Sequence, residues 1–299
     1  MATLLALKRR IRAASSVSKT TRAMQMIAVS KLKKAQDATL SGRPYVEKLS
    51  AITQNVLSKL EETFTHPYMQ KNEIKKNLVL VVSPDKGLCG GLVSNLIRKL
   101  INFDSQNKDS IYITVGKKTE KIVVSLNNQL IASFKFGTTL PSFDVVLPIT
   151  KVIDEYFLSS KVGSFKIIST NFLTVFSQKP EITNILPIEF PKPASPPASP
   201  DRGEQGGDAL SNTYTLFEPQ PSKLLPHLLK HLLEMKVYQV LLESFASEQG
   251  ARMVAMQNAT DNALEIVQDL KLEYNKERQE KITNEILDIG GATFTYSYE

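Results

Sequence analysis

The chain has 299 residues and a formal net charge of +7, with 37 lysines and arginines against 30 acidic residues. Its single cysteine, Cys89, excludes an intrachain disulfide, and no apolar run approaches the roughly 20 residues that span a bilayer. The excess positive charge predicts an acidic partner: nucleic acid, an anionic membrane or an acidic protein surface. The N-terminus lacks the pattern of a secretory signal, so we expect the mature protein to begin at or near Met1.

Residues 1–62 predict a long helix with one stripe of apolar or small residues. The stripe alternates by three and four, which is the coiled-coil period. Its members are Leu4, Leu7, Ile11, Ala14, Ser18, Thr21, Gln25, Ala28, Leu32 and Ala35. Four apolar residues fall partly outside it: Met24, Met26, Ile27 and Val29. Apolar residues outside the seam indicate that a further partner surrounds the helix. Pro44 should kink or restart the helix rather than end the segment.

Residues 77–190 predict an α/β domain. Strands are expected at residues 78–83, 111–115, 130–136, 165–171 and 181–188, with helices at 92–101, 117–126 and 143–158. Alternating strands and helices predict a mainly parallel, Rossmann-like sheet with helices on its faces.

The rest of the chain divides into a linker and a second long helical segment. Residues 191–213 are rich in Pro, Ser and Gly, which is typical of an extended linker. Residues 214–299 carry a second three-and-four stripe: Met253, Met256, Thr260, Ala263, Val267 and Leu270, continued after a phase shift by Ile282, Ile286 and Ile289. Some 60 helical residues reach on the order of 90 Å, which is too long to bury in one small domain.

The two terminal segments suit each other as an antiparallel coiled coil. The first is strongly basic before Glu47, with Asp37 as its one acid, and the last is acidic between residues 265 and 288. Opposite charges beside an apolar seam favour pairing and help to fix its orientation. The globular segment between them makes the antiparallel arrangement the economical one.

Three local features have both a functional and a structural interpretation. Residues 83–91, SPDKGLCGG, follow a strand and open a helix, where phosphate-binding loops occur, but they match neither GxxxxGK[ST] nor GxGxxG. A tight turn with permissive glycines is the favoured interpretation. Cys89 has no nearby base and is predicted to be a packing thiol. His227 and His231 stand four apart among leucines and favour a structural role over a metal site.

The basic first helix also leaves a nucleic-acid interpretation open. An α/β domain with a coiled-coil arm is a reasonable nucleotide- or nucleic-acid-binding protein. It would need a phosphate loop or aromatic residues that stack on bases, and the basic stretch has no aromatic residue before Tyr45. The apolar residues outside the seam favour a protein partner.

Three stretches together resemble the F-type ATP synthase gamma subunit family of the bacterial type. They are KRRIRAASSVSKTTRAMQMIAVSKLKKAQ at residues 8–36, DKGLCGG at 85–91, and SEQGARMVAMQNATDNA at 247–263 with YNKERQEKITNEILDIGG at 274–291 behind it. They occur in the family's order. Gly250 departs from the family's usual alanine and should cost up to about 1 kcal/mol of helix stability.

The resemblance implies a non-catalytic central rotor shaft with no cofactor or metal. Its partners would be the alpha and beta subunits, the epsilon subunit and the membrane c-ring, with no nucleic acid. It would lie peripherally at the cytoplasmic face of the bacterial plasma membrane, attached only through the complex. The positions that the resemblance marks as contacts with the alpha/beta hexamer are Met24, Arg252, Arg278, Gln279 and Thr283.

Overall fold

The structure, a computed structural model, describes residues 4–60, 64–70, 72, 74–126, 129–190 and 218–296. Its helices are α1 (Leu4–Ser58), α2 (Leu92–Gln106), α3 (Lys117–Ser125), α4 (Val146–Leu158) and α5 (Pro221–Tyr296). Its strands are β1 (Asn77–Val82), β2 (Ser110–Val115), β3 (Gln129–Phe134), β4 (Ser164–Phe172) and β5 (Gln178–Leu186). The predicted linker, residues 191–213, lies outside the described residues.

The two terminal helices, α1 and α5, pack against each other along most of α1. Thr21 contacts Thr260, whereas Arg43, further along α1, contacts Glu243, nearer the start of α5. The helices therefore run antiparallel, as the sequence predicts. Their seam follows the predicted stripes, with Leu7, Ser18, Ala28, Leu32 and Ala35 buried on α1 and Met256, Thr260, Ala263 and Val267 buried on α5.

Helix α1 passes through Pro44 as one element. The prediction that the helical segment does not end at this residue is therefore confirmed, and of the two predicted forms a restart is wrong. Proline removes one backbone hydrogen bond and crowds the preceding turn. Leu49 and Val56, in the turns that follow, are buried in the core, so tertiary packing holds this half of the helix in place.

The five strands form one sheet in the order β3-β2-β1-β4-β5. The pairs β1–β2, β1–β4 and β2–β3 are parallel, and β5 returns antiparallel beside β4. The predicted mainly parallel sheet is confirmed. The central strand β1 is buried from Leu78 to Val82, because both faces of the sheet are covered.

Helices cover the sheet on both faces and give the domain three layers. On one face, Val79 and Val81 pack with residues of α2 and α3, such as Leu96 and Val123. On the other face, Leu78 and Leu80 belong to a larger cluster with α4 and with the adjoining halves of α1 and α5. The α/β domain and the paired helices thus share one core.

Helix α5 is longer than its partner. Extending the pairing of Thr21 with Thr260 one residue at a time puts Leu4, where α1 begins, opposite about residue 277. Residues 278–296 of α5, here named the overhang, therefore extend past the first described residue of α1. Within the described residues, no helix combines the length and the hydrophobicity needed to cross a membrane.

Candidate functional site: the free helix pair and its junction with the α/β domain

Residues 4–32 of α1 and 252–287 of α5, here named the free helix pair, have a seam that is partly polar. The hydroxyl oxygens of Thr21 and Thr260 lie 2.7 Å apart, and Gln25 donates a side-chain hydrogen bond to Gln257. Ser18 is buried one turn away from Thr21. The sequence prediction that polar residues occupy this part of the seam is confirmed. Hydrogen-bonded polar layers fix the register of two helices more strictly than apolar layers do.

The outward faces of the free helix pair carry apolar side chains. On α1, Met24, Met26, Ile27 and Val29 are exposed, as predicted from their positions outside the seam. On α5, the exposed apolar residues are Leu264, Ile266, Leu272, Ile282, Ile286 and Leu287. The predicted continuation of the α5 stripe through Ile282 and Ile286 is therefore wrong as a seam with α1, which begins opposite about residue 277. The side chain of Ile289 lies outside the described part. Exposed apolar surface of this extent marks a protein–protein contact.

Charge plays a smaller part between the two helices than the sequence suggests. Among the described residues, Arg43 and Glu243, 3.2 Å apart, form the ion pair that joins α1 to α5. Other pairs lie within α5 itself, such as Lys276–Glu280, Lys281–Glu285 and Arg252–Glu248. The predicted antiparallel pairing of the two helices is therefore present without a series of ion pairs across the described seam of the free helix pair. Because the seam is filled by small, apolar and hydrogen-bonded residues, the charges lie on outer faces, where they can meet another molecule.

The loop of residues 83–91 makes a tight turn at the carboxyl end of β1. Gly90 has a φ of +57°, as the glycine interpretation of this segment predicts. Leu88 also has a positive φ, +62°, which was not predicted from the sequence. The carboxylate of Asp85 accepts hydrogen bonds from the backbone amides of Lys117 at 3.0 Å and Gly137 at 2.8 Å. These two bonds tie the loop to the adjacent turns of the domain.

The middle of α5 crosses this edge of the sheet. The hydroxyl of Ser247 donates to the backbone oxygen of Thr170 in β4 at 3.0 Å. A Cβ atom at Gly250 would lie 3.2 Å from a ring carbon of Phe172, at the end of β4. Glycine at this position therefore permits the close approach of α5 to the turn between β4 and β5, which offsets the helix propensity that it loses.

The cysteine and His231 lie in structural surroundings, whereas His227 is exposed. Cys89 is buried against Leu92 and Ala251, and burial raises the pKa of its thiol. His231 lies with Nε2 2.8 Å from the hydroxyl of Tyr45 and Nδ1 3.7 Å from Glu234. Within the described residues, no group of three His, Cys, Asp or Glu side chains is placed to hold a metal ion.

The structure spreads the five predicted contact residues along the helix pair instead of bringing them together. Met24 is exposed on α1, next to Gln25, which contacts Gln257. Arg278, Gln279 and Thr283 lie exposed at the start of the overhang, and the Thr283 hydroxyl donates to the backbone oxygen of Gln279 at 2.9 Å.

Arg252 differs from the other four because its side chain turns inward. One guanidinium nitrogen lies 2.7 Å from a carboxylate oxygen of Glu248, and the same nitrogen donates to the backbone oxygens of Lys86 and Gly87 at 3.4 and 3.2 Å. Sequence reasoning missed Glu248 and Leu88. The spacing of Glu248 four residues before Arg252 was the available signal, because residues four apart share a helix face.

Comparison with known proteins identifies the family. A family model described as ATP synthase matches residues 3–293. The ATP synthase gamma chain of Dehalococcoides mccartyi strain BAV1 is 41% identical over 299 residues, covering 98% of this chain and 99% of that one. This chain belongs to the ATP synthase gamma chain family. The gamma chain of Methylacidiphilum infernorum is 36% identical, with the same coverage of both chains.

Solved structures of distant relatives share the fold. The rotor of the Euglena gracilis mitochondrial ATP synthase aligns with a TM-score of 0.64 at 16% identity, over 93% of this chain and 98% of that one. The central stalk and c-ring structure of the Tetrahymena thermophila enzyme contains a chain that aligns with a TM-score of 0.57 at 22% identity, over 80% of this chain and 99% of that one. The long helix pair with an α/β domain is thus the fold of this family, and nothing supports the nucleotide- or nucleic-acid-binding alternative.

Proposed function

We propose that this chain is the central-stalk rotor subunit of an F-type ATP synthase. In that function it couples ion flow through a membrane c-ring to ATP synthesis and hydrolysis in a hexamer of alpha and beta subunits. The observation that carries the proposal is the free helix pair, which extends from the α/β domain with a hydrogen-bonded seam inside and apolar residues outside. Membership of the gamma chain family gives this geometry its functional context.

The dimensions of the helix pair suit a part that transmits torque. Residues 252–296 of α5 form one uninterrupted stretch of helix, about 68 Å long at 1.5 Å per residue. Two helices locked along a seam resist twisting more than one helix does, and the Thr21–Thr260 and Gln25–Gln257 contacts oppose sliding of one helix past the other. Rotation of the domain is therefore transmitted to the far end of the pair.

The outer surface suits contacts that change during rotation. Apolar side chains such as Met26 and Ile27 make non-directional contacts, which a turning surface can form and release without breaking hydrogen bonds. Basic residues on α1 suit acidic loops of the beta subunits, since charge complementarity orients such encounters. The α/β domain, at the other end of the molecule, is the proposed site for the epsilon subunit and the c-ring.

Five residues are proposed as contacts with the alpha/beta hexamer. Met24 on α1 would face the acidic beta-subunit loops. Arg278, Gln279 and Thr283 would form a hydrogen-bonded contact with a beta-subunit loop at the overhang. Arg252 is the least exposed of the five and would act from the junction of the helix pair with the domain.

The catalytic function is proposed to lie entirely with the partners. This chain would hydrolyse no ATP by itself and would lie at the cytoplasmic face of the plasma membrane, held there by the complex. Protease treatment of inside-out and right-side-out vesicles tests the location, because a chain on the cytoplasmic face is cut only in the former.

Reconstitution tests the function. Full-length chain, alpha and beta subunits are purified from the same organism, and ATP hydrolysis is measured for the chain alone, for alpha with beta, and for all three. We expect no turnover by the chain alone and a clear stimulation when it joins alpha and beta. The mixture without this chain is the control for activity intrinsic to the other subunits.

Two results would contradict the proposal. Turnover by the purified chain, free of contaminating ATPase, would show that it is itself an enzyme. A stable three-subunit complex with no more activity than alpha and beta alone would show that the chain binds the hexamer without driving it.

A further inference from the structure

A buried carboxylate in the middle of α5 is not used by the proposed function. Glu248 is only 3% exposed. One of its oxygens lies 2.7 Å from Arg252, and the other has no hydrogen-bond partner within the described part of the chain. Burial raises the pKa of Glu248, and Arg252 opposes that shift without cancelling it. The pair therefore recovers only part of the cost of burying the carboxylate, so a gain in stability does not account for it.

Arg252 connects this carboxylate to residues 85–91 of the loop that follows β1. Its guanidinium donates to the backbone oxygens of Lys86 and Gly87, the two residues before Leu88. Glu248, four residues earlier on the same helix, pairs with the same guanidinium nitrogen. The side chain of Arg252 is only 16% exposed, so its position is set by contacts within this chain.

The loop that Arg252 contacts has a strained backbone. Leu88 has a φ of +62°, in the left-handed region that non-glycine residues rarely adopt, and its side chain is 64% exposed. A residue in this conformation persists only where its surroundings fix the backbone, and such residues concentrate at functional sites. An exposed leucine gains no burial energy in return. The contacts on the preceding two carbonyls therefore help to hold Leu88 in this conformation.

The loop also packs against α5 through a small apolar cluster. Cys89, directly after Leu88, is 2% exposed and packs with Leu92 and Ala251, one residue before Arg252. The guanidinium contacts and this small apolar cluster thus join the same two segments. Opening of the loop would expose the cysteine, so the only thiol of the chain reports on the loop.

We propose that Glu248 and Arg252 are positioning residues within this chain. Glu248 fixes the guanidinium of Arg252, and Arg252 fixes the backbone of residues 86 and 87, which holds the loop 85–91 against α5 with Leu88 directed outward. The loop lies where the free helix pair leaves the α/β domain. If the proposed function holds, this is where a hexamer around the helix pair ends, so the loop would have a fixed position at its rim.

Alkylation of Cys89 in the full-length chain alone tests the assignment, with the modified peptide quantified by mass spectrometry. Arg252→Met should raise the alkylation rate roughly tenfold or more, which corresponds to about 1.4 kcal/mol at 25 °C. Arg252→Lys keeps the positive charge beside Glu248 and should give an intermediate rate. Arg43→Met breaks the Arg43–Glu243 pair elsewhere between α1 and α5 and is the matched control, expected to leave the rate unchanged.

A double-mutant cycle tests whether Glu248 acts through Arg252. Glu248→Met should also speed alkylation, and the double variant Glu248→Met/Arg252→Met should be no faster than Arg252→Met alone, because the carboxylate has nothing left to position. Thermal unfolding is measured in parallel. Arg252→Met leaves Glu248 buried without a partner, so this variant should also have a lower unfolding temperature. The double variant Glu248→Met/Arg252→Met leaves no unpaired buried charge. In the double variant a positioning effect raises the alkylation rate with little change in unfolding temperature, whereas a general loss of structure would move both together.

Two outcomes would overturn the assignment. Alkylation of Arg252→Met within twofold of wild type would show that the guanidinium does not hold the loop. Multiplicative effects in the double variant would show that the two residues act independently. Arg252→Gln, which keeps an amide donor, replaces Arg252→Met if the latter yields too little folded protein. These measurements need no partner, so failure of the proposed rotor function leaves their outcome unchanged.

Discussion

Arg278 and Gln279 are the residues whose replacement tests the proposed partner contact most directly. Both are exposed on α5 where the overhang begins, and Arg278 forms no ion pair within the described residues. Exposed substitutions of this kind change the free energy of unfolding by less than about 0.5 kcal/mol. A large loss of activity on replacing them would therefore come from contacts with another subunit.

The expected size of the loss follows from the bond that is removed. A hydrogen bond that involves a charged group contributes about 1.5–3 kcal/mol. If the contact forms near the rate-limiting rotational state, its loss lowers the rate by roughly 10- to 150-fold. We therefore expect Arg278→Ala/Gln279→Ala to lower ATP hydrolysis by the assembled complex more than tenfold while the complex still forms.

The assay needs a control that removes charge from the same stretch. Lys276→Ala/Lys281→Ala removes two highly exposed cations, each paired with an acid four residues later on α5. Such pairs contribute only about 0.3–0.5 kcal/mol each, so this variant should hydrolyse ATP at nearly the wild-type rate. Gel filtration checks assembly of both variants. If Arg278→Ala/Gln279→Ala assembles and keeps its rate within about twofold, these side chains are ordinary surface.

Two further predictions concern packing and titration. Gly250→Ala should give no net stabilisation. The new Cβ would lie 3.2 Å from Phe172, and overpacking of about 1–3 kcal/mol offsets the gain in helix propensity. A denaturant midpoint raised by the equivalent of about 1 kcal/mol would refute this. Burial raises the pKa of the Cys89 thiol, so alkylation of the native chain should still be increasing with pH above about 8.5, the ordinary value for cysteine. A plateau below that pH, or a profile equal to that of the urea-unfolded chain, would contradict it.

The long helices and their buried faces could be predicted because they depend on local spacing. A three-and-four pattern puts residues on one face of a helix whatever lies beyond it. Ala28, Leu32 and Ala35 on α1 and Met256 and Ala263 on α5 are accordingly buried where the pattern placed them. The same reasoning placed polar Thr21 and Gln25 in the seam, and the structure supplies their partners, Thr260 and Gln257.

The predictions that were wrong concern which residues each face of α1 and α5 contacts. Periodicity puts Ile282 and Ile286 on one face of α5, but it does not tell how far one helix is shifted along the other. It could therefore not show that α1 begins opposite about residue 277. Charge composition correctly indicated that the two helices pair, but it could not show which charged residues meet. Among the described residues, Arg43–Glu243 is the ion pair between α1 and α5, because the orientation of each charged residue depends on the helix rotation that the seam imposes.

The sequence by itself determined the two terminal helices, the mainly parallel sheet and the family, since these follow from spacing and from motifs that lie within short segments. The tertiary structure decided which residues are free to meet partners. Arg252 was predicted to contact a partner subunit. In the structure its side chain contacts Glu248 and the backbone of residues 86 and 87, which lie more than 160 positions earlier in the chain. That meeting depends on α5 crossing the carboxyl end of β1, and no local pattern encodes a contact between segments so far apart in the chain.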